Sequence, residues 1–475
     1  MSQPTARLLI EPIASPPALN DALAAILAAP QPAILDSSAL DVRYGRYCIL
    51  ACEPAEIRTW TCGIDADGLE VLRQVIRATP PVSPPDNEPG RIPFSGGWIG
   101  FLSYEAGRWI ERLPAATGNH RFLPTIWLGL YDTAVVIDRI EQRWWLVGVD
   151  WPAGCRLGSR LPASDRMYSL GKRLRSQRPG MPSLDAPTPA TVRSDFRRDA
   201  YEQTVQRVID YIGAGDVFQV NVAQRLVVPT SEAPADVFLR LRRNNPSCFG
   251  AYLQPGDAAV VSASPELFFT LRDRDVVTRP IKGTRRRSPD PVVDASLRRE
   301  LCESPKDAAE LAMIIDLERN DLGRVCEFGS VRVTEARTLE PHPTVHHLVG
   351  TVVGRLREGL DVIDLLRAAF PGGSITGAPK IRAMEIIDEL ERAPRGVYCG
   401  SIGWIGLDGS AAFNIAIRTI TMADGEAEVY AGGGIVTDSL PPAEYEETLD
   451  KAAALLRALG ATPEAARDTI GTRRA

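Results

Sequence analysis

Lysine is what this chain has little of. Of its 54 basic side chains only five are lysines, Lys172, Lys282, Lys306, Lys380 and Lys451. The remainder are arginines, which stay charged, so any neutral-amine chemistry has to pass through those few positions. Histidine is scarcer still, at 4 residues. Eight cysteines are scattered without a CxxC pair, which argues against a structural zinc site and against a disulfide framework. No apolar run approaches the roughly 18 residues of a membrane span, and the N-terminus lacks a basic segment followed by an apolar one. The expected setting is therefore a reducing cytoplasm without membrane contact. Net positive charge is also absent: the formal charge is -6, so a broad nucleic-acid surface is not expected. What remains open is a small anionic partner held at a local site.

What is present is an ordinary globular composition, 44% apolar and 24% charged over 475 residues. That is enough for a large core and, on length, two or three domains. Residues 1–175 read as short strands and loops, with the glycine-rich run FSGGWIGFLSYEAGRW (94–109) and the apolar run RWWLVGVDW (143–151). The first predicts close backbone packing at Gly96, Gly97 and Gly100. The Pro/Ser/Thr-rich stretch 175–196 predicts a linker. Beyond it, 195–460 forms a second region. Helices are predicted over 197–213, 304–318, 361–369, 379–392 and 441–459, and strands over 218–228, 259–271, 275–281 and 330–336. Strands and helices do not alternate as βαβ units, which predicts α+β architecture with antiparallel sheets.

Several segments carry candidate chemistry. ESPKDAAELAMIIDLERNDLGR (303–324) opens with Ser304, Pro305 and Asp307 as a capping box, and Glu310 follows in an apolar stretch. In SLPPAEYEETLDKAAALLRAL (439–459), Glu444, Glu447 and Lys451 share a helix face. Either an exposed ion pair or, together with the first helix, carboxylates for one Mg²⁺ fits this pattern. FPGGSITGAPKIRAMEIIDELE (370–391) nearly has P-loop spacing, but Ala378-Pro379 replaces the required Gly-Lys, so a nucleotide triphosphate site is rejected. Pro379 is expected at the first helical position. AGGGIVTDS (431–439) offers a tight turn or a nest of amides. CGSIG (399–403) has Cys399 where a nucleophile elbow needs glycine. The three histidines of PHPTVHHL lack a further metal-ligand partner. In RPIKGTRRR (279–287), Arg279, Arg285, Arg286 and Arg287 flank Lys282 and are expected to depress its pKa; a solvated basic loop is the alternative. Glu266, in AVVSASPELFF, is either a buried general acid or a solvent-facing glutamate.

Taken together, GDVFQVNVAQR, SASPELF, PIKGT, KDAAELAMIIDLERNDLGRV, VHHLV, FPGGSITGAPKIRAMEIIDELE, YCGSIGW, IAIRTI, AGGGIVTDS and EYEETLDK resemble, in order, the blocks of the chorismate-utilising enzymes. That family includes anthranilate synthase component I, aminodeoxychorismate synthase component I, isochorismate synthase and salicylate synthase. The likeness is strong over about 200–460 and looser before it. Lysine in PIKGT resembles the aminodeoxychorismate branch, where other members usually carry a small residue. Gln219 stands where water-activating members carry lysine.

The resemblance implies two large antiparallel sheets packed as a sandwich, surrounded by helices. It also implies roles. Glu310 and Glu447, with Glu444 and Asp307 nearby, would hold Mg²⁺ against a chorismate carboxylate. Glu266 would protonate the departing 4-hydroxyl, and Lys282 would attack C2 before ammonia adds at C4. Arg418, Tyr398, Lys451 and the amides of Gly432, Gly433 and Gly434 would hold the second carboxylate. Gln219, His347 and Thr376 would complete the substrate pocket. No glutaminase block is seen, so ammonia is expected from a separate glutamine amidotransferase subunit, and no fused lyase is expected. Asp36, Ser37 and Ser38 partly match a tryptophan-binding motif of the family. Anthranilate synthase component I is the alternative activity, and a catalytically silent ligand-binding homologue the alternative class.

Overall fold

The computed structural model describes residues 5–63, 66–82, 92–114, 120–176, 186–342 and 345–467. Residues 177–185 of the expected linker lie outside these. Among the described residues two antiparallel sheets, one of 12 and one of 10 strands, carry the fold, with helices around them. This is the α+β arrangement expected from the sequence.

Both sheets are woven from distant parts of the chain. In the larger, Ala33–Asp36 pairs with Phe249–Leu253. In the smaller, Gly97–Leu102 pairs with Ser401–Gly406. Glycine is required where Gly97–Leu102 meets its two neighbours, Ile126–Tyr131 and Ser401–Gly406. A Cβ at Gly100 would lie 2.0 Å from the Trp127 carbonyl oxygen, and one at Gly97 would lie 2.2 Å from that of Ile405. The backbone proximity expected from the glycine run is thus real at both positions. Buried side chains from both sheets, Leu50 and Val261 of the larger and Trp98 and Phe413 of the smaller among them, form one continuous apolar cluster. Burial on this scale is what offsets the entropy of ordering so long a chain.

The expected strand 259–271 is in fact two. Ala259–Ser264 belongs to the larger sheet and Leu267–Arg272 to the smaller. The chain crosses between sheets at Pro265-Glu266, where proline can give no ladder hydrogen bond. A run apolar throughout cannot reveal by periodicity that its two halves serve different sheets. The RPIKGTRRR segment is not a loop: Ile281–Arg286 pairs with Val345–Arg355. The triple glycine is not a nest either, but lies within the strand Glu426–Ile435, paired along its length with Gln219–Pro229.

The helix Pro305–Gly323 begins as expected, with Ser304 Oγ accepting from the Asp307 amide at 3.2 Å. The return half of the capping box is not made. The Asp307 carboxylate instead accepts from Arg285 Nη2 at 3.1 Å. The helix Lys380–Leu390 starts one residue later than expected, with Pro379 as its N-cap. Among the described residues no helix is long and apolar enough to cross a membrane. All eight cysteines are free thiols.

Candidate functional site

The crossing between sheets places Glu266 against the edge strand that carries Lys282. Glu266 is 4% exposed, and its Oε1 accepts from the Ile281 amide at 3.4 Å. Burial is the main influence on this carboxyl and raises its pKa; the Ser374 hydroxyl, Lys282 and Arg418 act in the opposite direction. The solvent-facing alternative for Glu266 is therefore excluded. Lys282 Nζ donates to the Ser374 carbonyl at 3.1 Å. Burial lowers its pKa, while Glu310 and Glu266 oppose the shift. The flanking arginines are not the main cause, contrary to expectation. Each is committed to a carboxylate: Arg279 to Glu340, Arg285 to Glu300 and Asp307, Arg286 to Asp450, and Arg287 to Asp294. The cation that adds to the depression is Lys451.

Around Lys282, carboxylates and lysines from two helices converge. Glu310 feels the charges of Lys282, Lys306 and Glu447, and burial raises its pKa. Glu447 pairs with Lys451 at 2.7 Å; burial would raise its pKa, but Lys451, Lys306 and Lys282 together hold it below the usual value. The exposed Glu447–Lys451 ion pair read from helix spacing is thus present, at the rim of this cluster, with side chains 51% and 42% exposed. Glu444 accepts from Ser439 Oγ at 2.7 Å, and burial raises its pKa. Lys451 Nζ also donates to the Gly432 carbonyl at 2.9 Å. Gly433 leaves room for these groups: a Cβ there would lie 3.0 Å from Glu444 Oε2 and 3.8 Å from Glu447 Oε1.

Among the described residues no three His, Cys, Asp or Glu side chains form a ready-made metal cage. Mg²⁺ asks for less, one or two carboxylates with water and substrate completing its shell. Glu310 and Glu447, hard oxygen donors from separate helices beside the cradle at Gly433, fit such an ion. Asp307, tied to Arg285, adds negative charge beside Glu310.

The remaining candidates surround this centre. Gln219 is 0% exposed, yet neither its Oε1 nor its Nε2 has a hydrogen-bond partner. A Cβ at Gly434 would meet that Nε2 at 2.7 Å, so Gln219 and the glycine strand face one another. A buried primary amide left unpaired is costly, and a ligand would repay it. Arg418 adopts φ 51°, a left-handed conformation rare outside glycine. Burial lowers its pKa, and Glu266 is the charge that opposes this. Arg418 also disfavours protonation of buried His347, whose Nδ1 meets Thr284 Oγ1 at 2.9 Å. Thr376 is buried with its hydroxyl donating to the Gly372 carbonyl at 3.1 Å, so it shapes the turn. Tyr398 is buried and stacked on Tyr430, ring centroids 5.4 Å apart.

Asp36, Ser37 and Ser38 stand apart from this assembly. Asp36 pairs with Arg242 at 2.8 Å, and Ser37 Oγ donates to the Cys248 carbonyl at 2.8 Å. Ser38 Oγ accepts from the Ser247 amide at 2.9 Å. These side chains staple the first strands to the segment before Phe249. Two groups the sequence reading passed over belong to the site. Ser374 bonds Glu266 through its hydroxyl and Lys282 through its carbonyl, and that same carbonyl accepts from Asn221 Nδ2 at 3.0 Å. Both lie inside the recognised blocks, and position within a block was the only signal for them.

A family model described as chorismate binding enzyme matches residues 36–457. The chain belongs to this chorismate-binding enzyme family. It is 40% identical over 441 residues to aminodeoxychorismate synthase component 1 of Escherichia coli, covering 90% of this chain and 92% of that one. It is also 41% identical over 441 residues to anthranilate synthase component 1 of Streptomyces coelicolor, covering 90% of this chain and 83% of that one. Among solved structures, anthranilate synthase component I from Streptococcus pneumoniae superimposes with a TM-score of 0.76 at 32% identity, over 88% of this chain and 93% of that one. The fold expected from the blocks, with its two large antiparallel sheets, is thus matched. Overall identity does not separate the two activities among these relatives.

Proposed function

We propose that the chain is the synthase component of an aminodeoxychorismate synthase, turning chorismate and ammonia into 4-amino-4-deoxychorismate. The observation that carries this reading is Lys282, a half-buried amine held by the Ser374 carbonyl beside the buried acid Glu266. Burial pushes both groups toward neutrality. That is the pairing the reaction needs: a free amine to attack and a carboxylic acid to give a proton.

In this mechanism Arg418, Lys451 and the open edge of Gly432 to Gly434 bind one carboxylate of chorismate, and Gln219 turns its free amide to the substrate. Glu310 and Glu447, with Glu444 close by, would hold Mg²⁺, which when bound supplies a Lewis acid for the other carboxylate. The neutral Lys282 amine forms a bond to C2 as both ring double bonds shift along the ring and the C4–O bond breaks, leaving the lysine nitrogen as a secondary ammonium. Glu266 gives its proton to the departing oxygen, so water leaves. Ammonia then bonds to C4, both double bonds return, and the C2–N bond breaks with its electron pair going to nitrogen, restoring the lysine. The ammonia would come from a glutamine amidotransferase partner in the cytoplasm. The component 1 names of the relatives support a second component.

The near-equal identity to an anthranilate synthase component 1 keeps a second reading in view, with ammonia directed to C2. One incubation separates them: purified chain, chorismate, Mg²⁺ and ammonium at about pH 8.5, followed by mass spectrometry with and without excess aminodeoxychorismate lyase. p-Aminobenzoate appearing with the lyase supports the proposal. Anthranilate appearing without it overturns the branch assignment.

A further inference from the structure

A small polar cavity lies behind the site, between the turn Tyr104–Trp109 and the end of the helix Lys380–Leu390. Tyr104, Glu105, Arg108, Asp388, Glu391 and Arg395 line it. Its charges do not balance. Arg108 pairs with Asp388, and Arg395 pairs with Glu391 at 2.6 Å. Glu105 is the carboxylate left over. It is 4% exposed; Oε1 accepts from the Gly396 amide at 3.3 Å, and Oε2 has no partner. The Tyr104 hydroxyl, in a residue 8% exposed, has none either. The nearby His120 ring is committed to Glu428 at 2.6 Å. Two unpaired buried oxygens and one surplus negative charge are expensive without a ligand.

The cavity is wired to the site through its own wall. Arg395 donates to the carbonyls of Asn221 at 2.9 Å and Ile375 at 3.1 Å. Glu391 accepts from the Ala223 amide at 2.9 Å. Asn221 in turn shares the Ser374 carbonyl with Lys282. The cavity thus lies one hydrogen-bonded layer behind the attacking amine.

We propose that this cavity is a holding site for ammonium on its way to the reacting carbon, with Glu105 Oε2 and Tyr104 Oη as its ligands. The inference rests on the preceding reading, in which ammonia is a substrate. Ammonium is small, has four N–H donors for the two free oxygens, and cancels the surplus charge, which water cannot. On release, one N–H bond breaks and its proton forms an O–H bond on Glu105 Oε2. Neutral ammonia and a neutral carboxyl result; burial, which raises the Glu105 pKa, eases this transfer, and Glu105 gives the proton back to water once ammonia has left.

The test uses the full chain with ammonium chloride as nitrogen source. Glu105→Gln and Tyr104→Phe should raise KM for ammonium about tenfold or more, with KM for chorismate and Tm close to wild type. A parallel rise in both KM values, or an ammonium KM that does not move, overturns the proposal. Crystals soaked in thallium(I), a cation of ammonium size, provide a readout without turnover. A peak beside Glu105 Oε2 is expected in the wild type and should be lost in Glu105→Gln; no wild-type peak overturns the site. If wild-type protein shows no ammonium-dependent turnover, the preceding reading fails. A thallium peak in that case leaves a cation site and overturns its role in nitrogen delivery.

Discussion

Ser374 accepts the Nζ hydrogen of Lys282 on its carbonyl oxygen at 3.1 Å, while its hydroxyl bonds to Glu266. One turn residue therefore orients both the proposed nucleophile and the proposed acid. The hydroxyl bond favours the ionised form of Glu266. Ser374→Ala should raise the Glu266 pKa further and move the alkaline limb of kcat/KM to higher pH, with a several-fold fall in kcat. A pH profile at constant free ammonia reads this out; an unmoved limb would separate Ser374 from the acid step.

Lys282→Ala and Lys282→Arg should both lose about a hundredfold or more in kcat, because neither side chain offers a neutral amine. Steady-state turnover of chorismate checks this. Near-normal activity in either variant would rule out the covalent step.

Glu266→Gln should lower kcat by about 10²–10⁴, the usual contribution of general acid catalysis, and abolish the alkaline limb seen in the wild type. A limb that persists would assign it to another group.

Gly433→Ala places a methyl 3.0 Å from Glu444 Oε2 and 3.8 Å from Glu447 Oε1. The Mg²⁺ concentration for half-maximal activity should rise several-fold with little change in Tm. Gly432→Ala is a different case, since its Cβ would lie 2.4 Å from the Val222 carbonyl oxygen and should lower Tm. Magnesium titrations and thermal scans on the pair distinguish a metal cradle from a merely tight strand.

Glu318, fully buried on the helix that carries Glu310, is pushed up to about 8 by burial and by Asp321. Its folded-state pKa lies above the unfolded value, so the folded protein binds the extra proton between about pH 4.5 and 8. Stability from this group is intact below that window and is lost as pH rises through it. Glu318→Gln, which stays neutral and retains a partner for Thr278, should therefore match wild type near pH 4.5 and exceed it in Tm by about 2–4 °C at pH 8 or above. A constant difference across the range would show that the carboxyl does not titrate there.

The scarcity of lysine made part of the site legible: Lys282, Lys306 and Lys451 all lie in one electrostatic cluster. The ordered blocks brought in Glu266, Glu310 and Glu447. What the sequence hid was long-range. Nothing local in GSI marks Ser374 as the carbonyl beneath Lys282, and the basic flank of Lys282 suggested a cause for its shift that distant carboxylates cancel. The break of 259–271 at Pro265 was likewise invisible, since both halves are apolar and only their sheet partners differ. Lys380, which the sequence reading left without a role, pairs with buried Asp321 at 2.6 Å beneath the site.

The weaving of the sheets has a consequence for synthesis. Asp36 waits for Gly250, and Leu102 waits for Ser401. At about 5–20 residues per second, the early strands spend roughly 10–60 s on the ribosome with an edge unpaired. Closing loops of that length is also a slow step for a released chain. The chain should accordingly depend on chaperone capacity more than its final stability suggests, and its yield should fall in cells depleted of holdases.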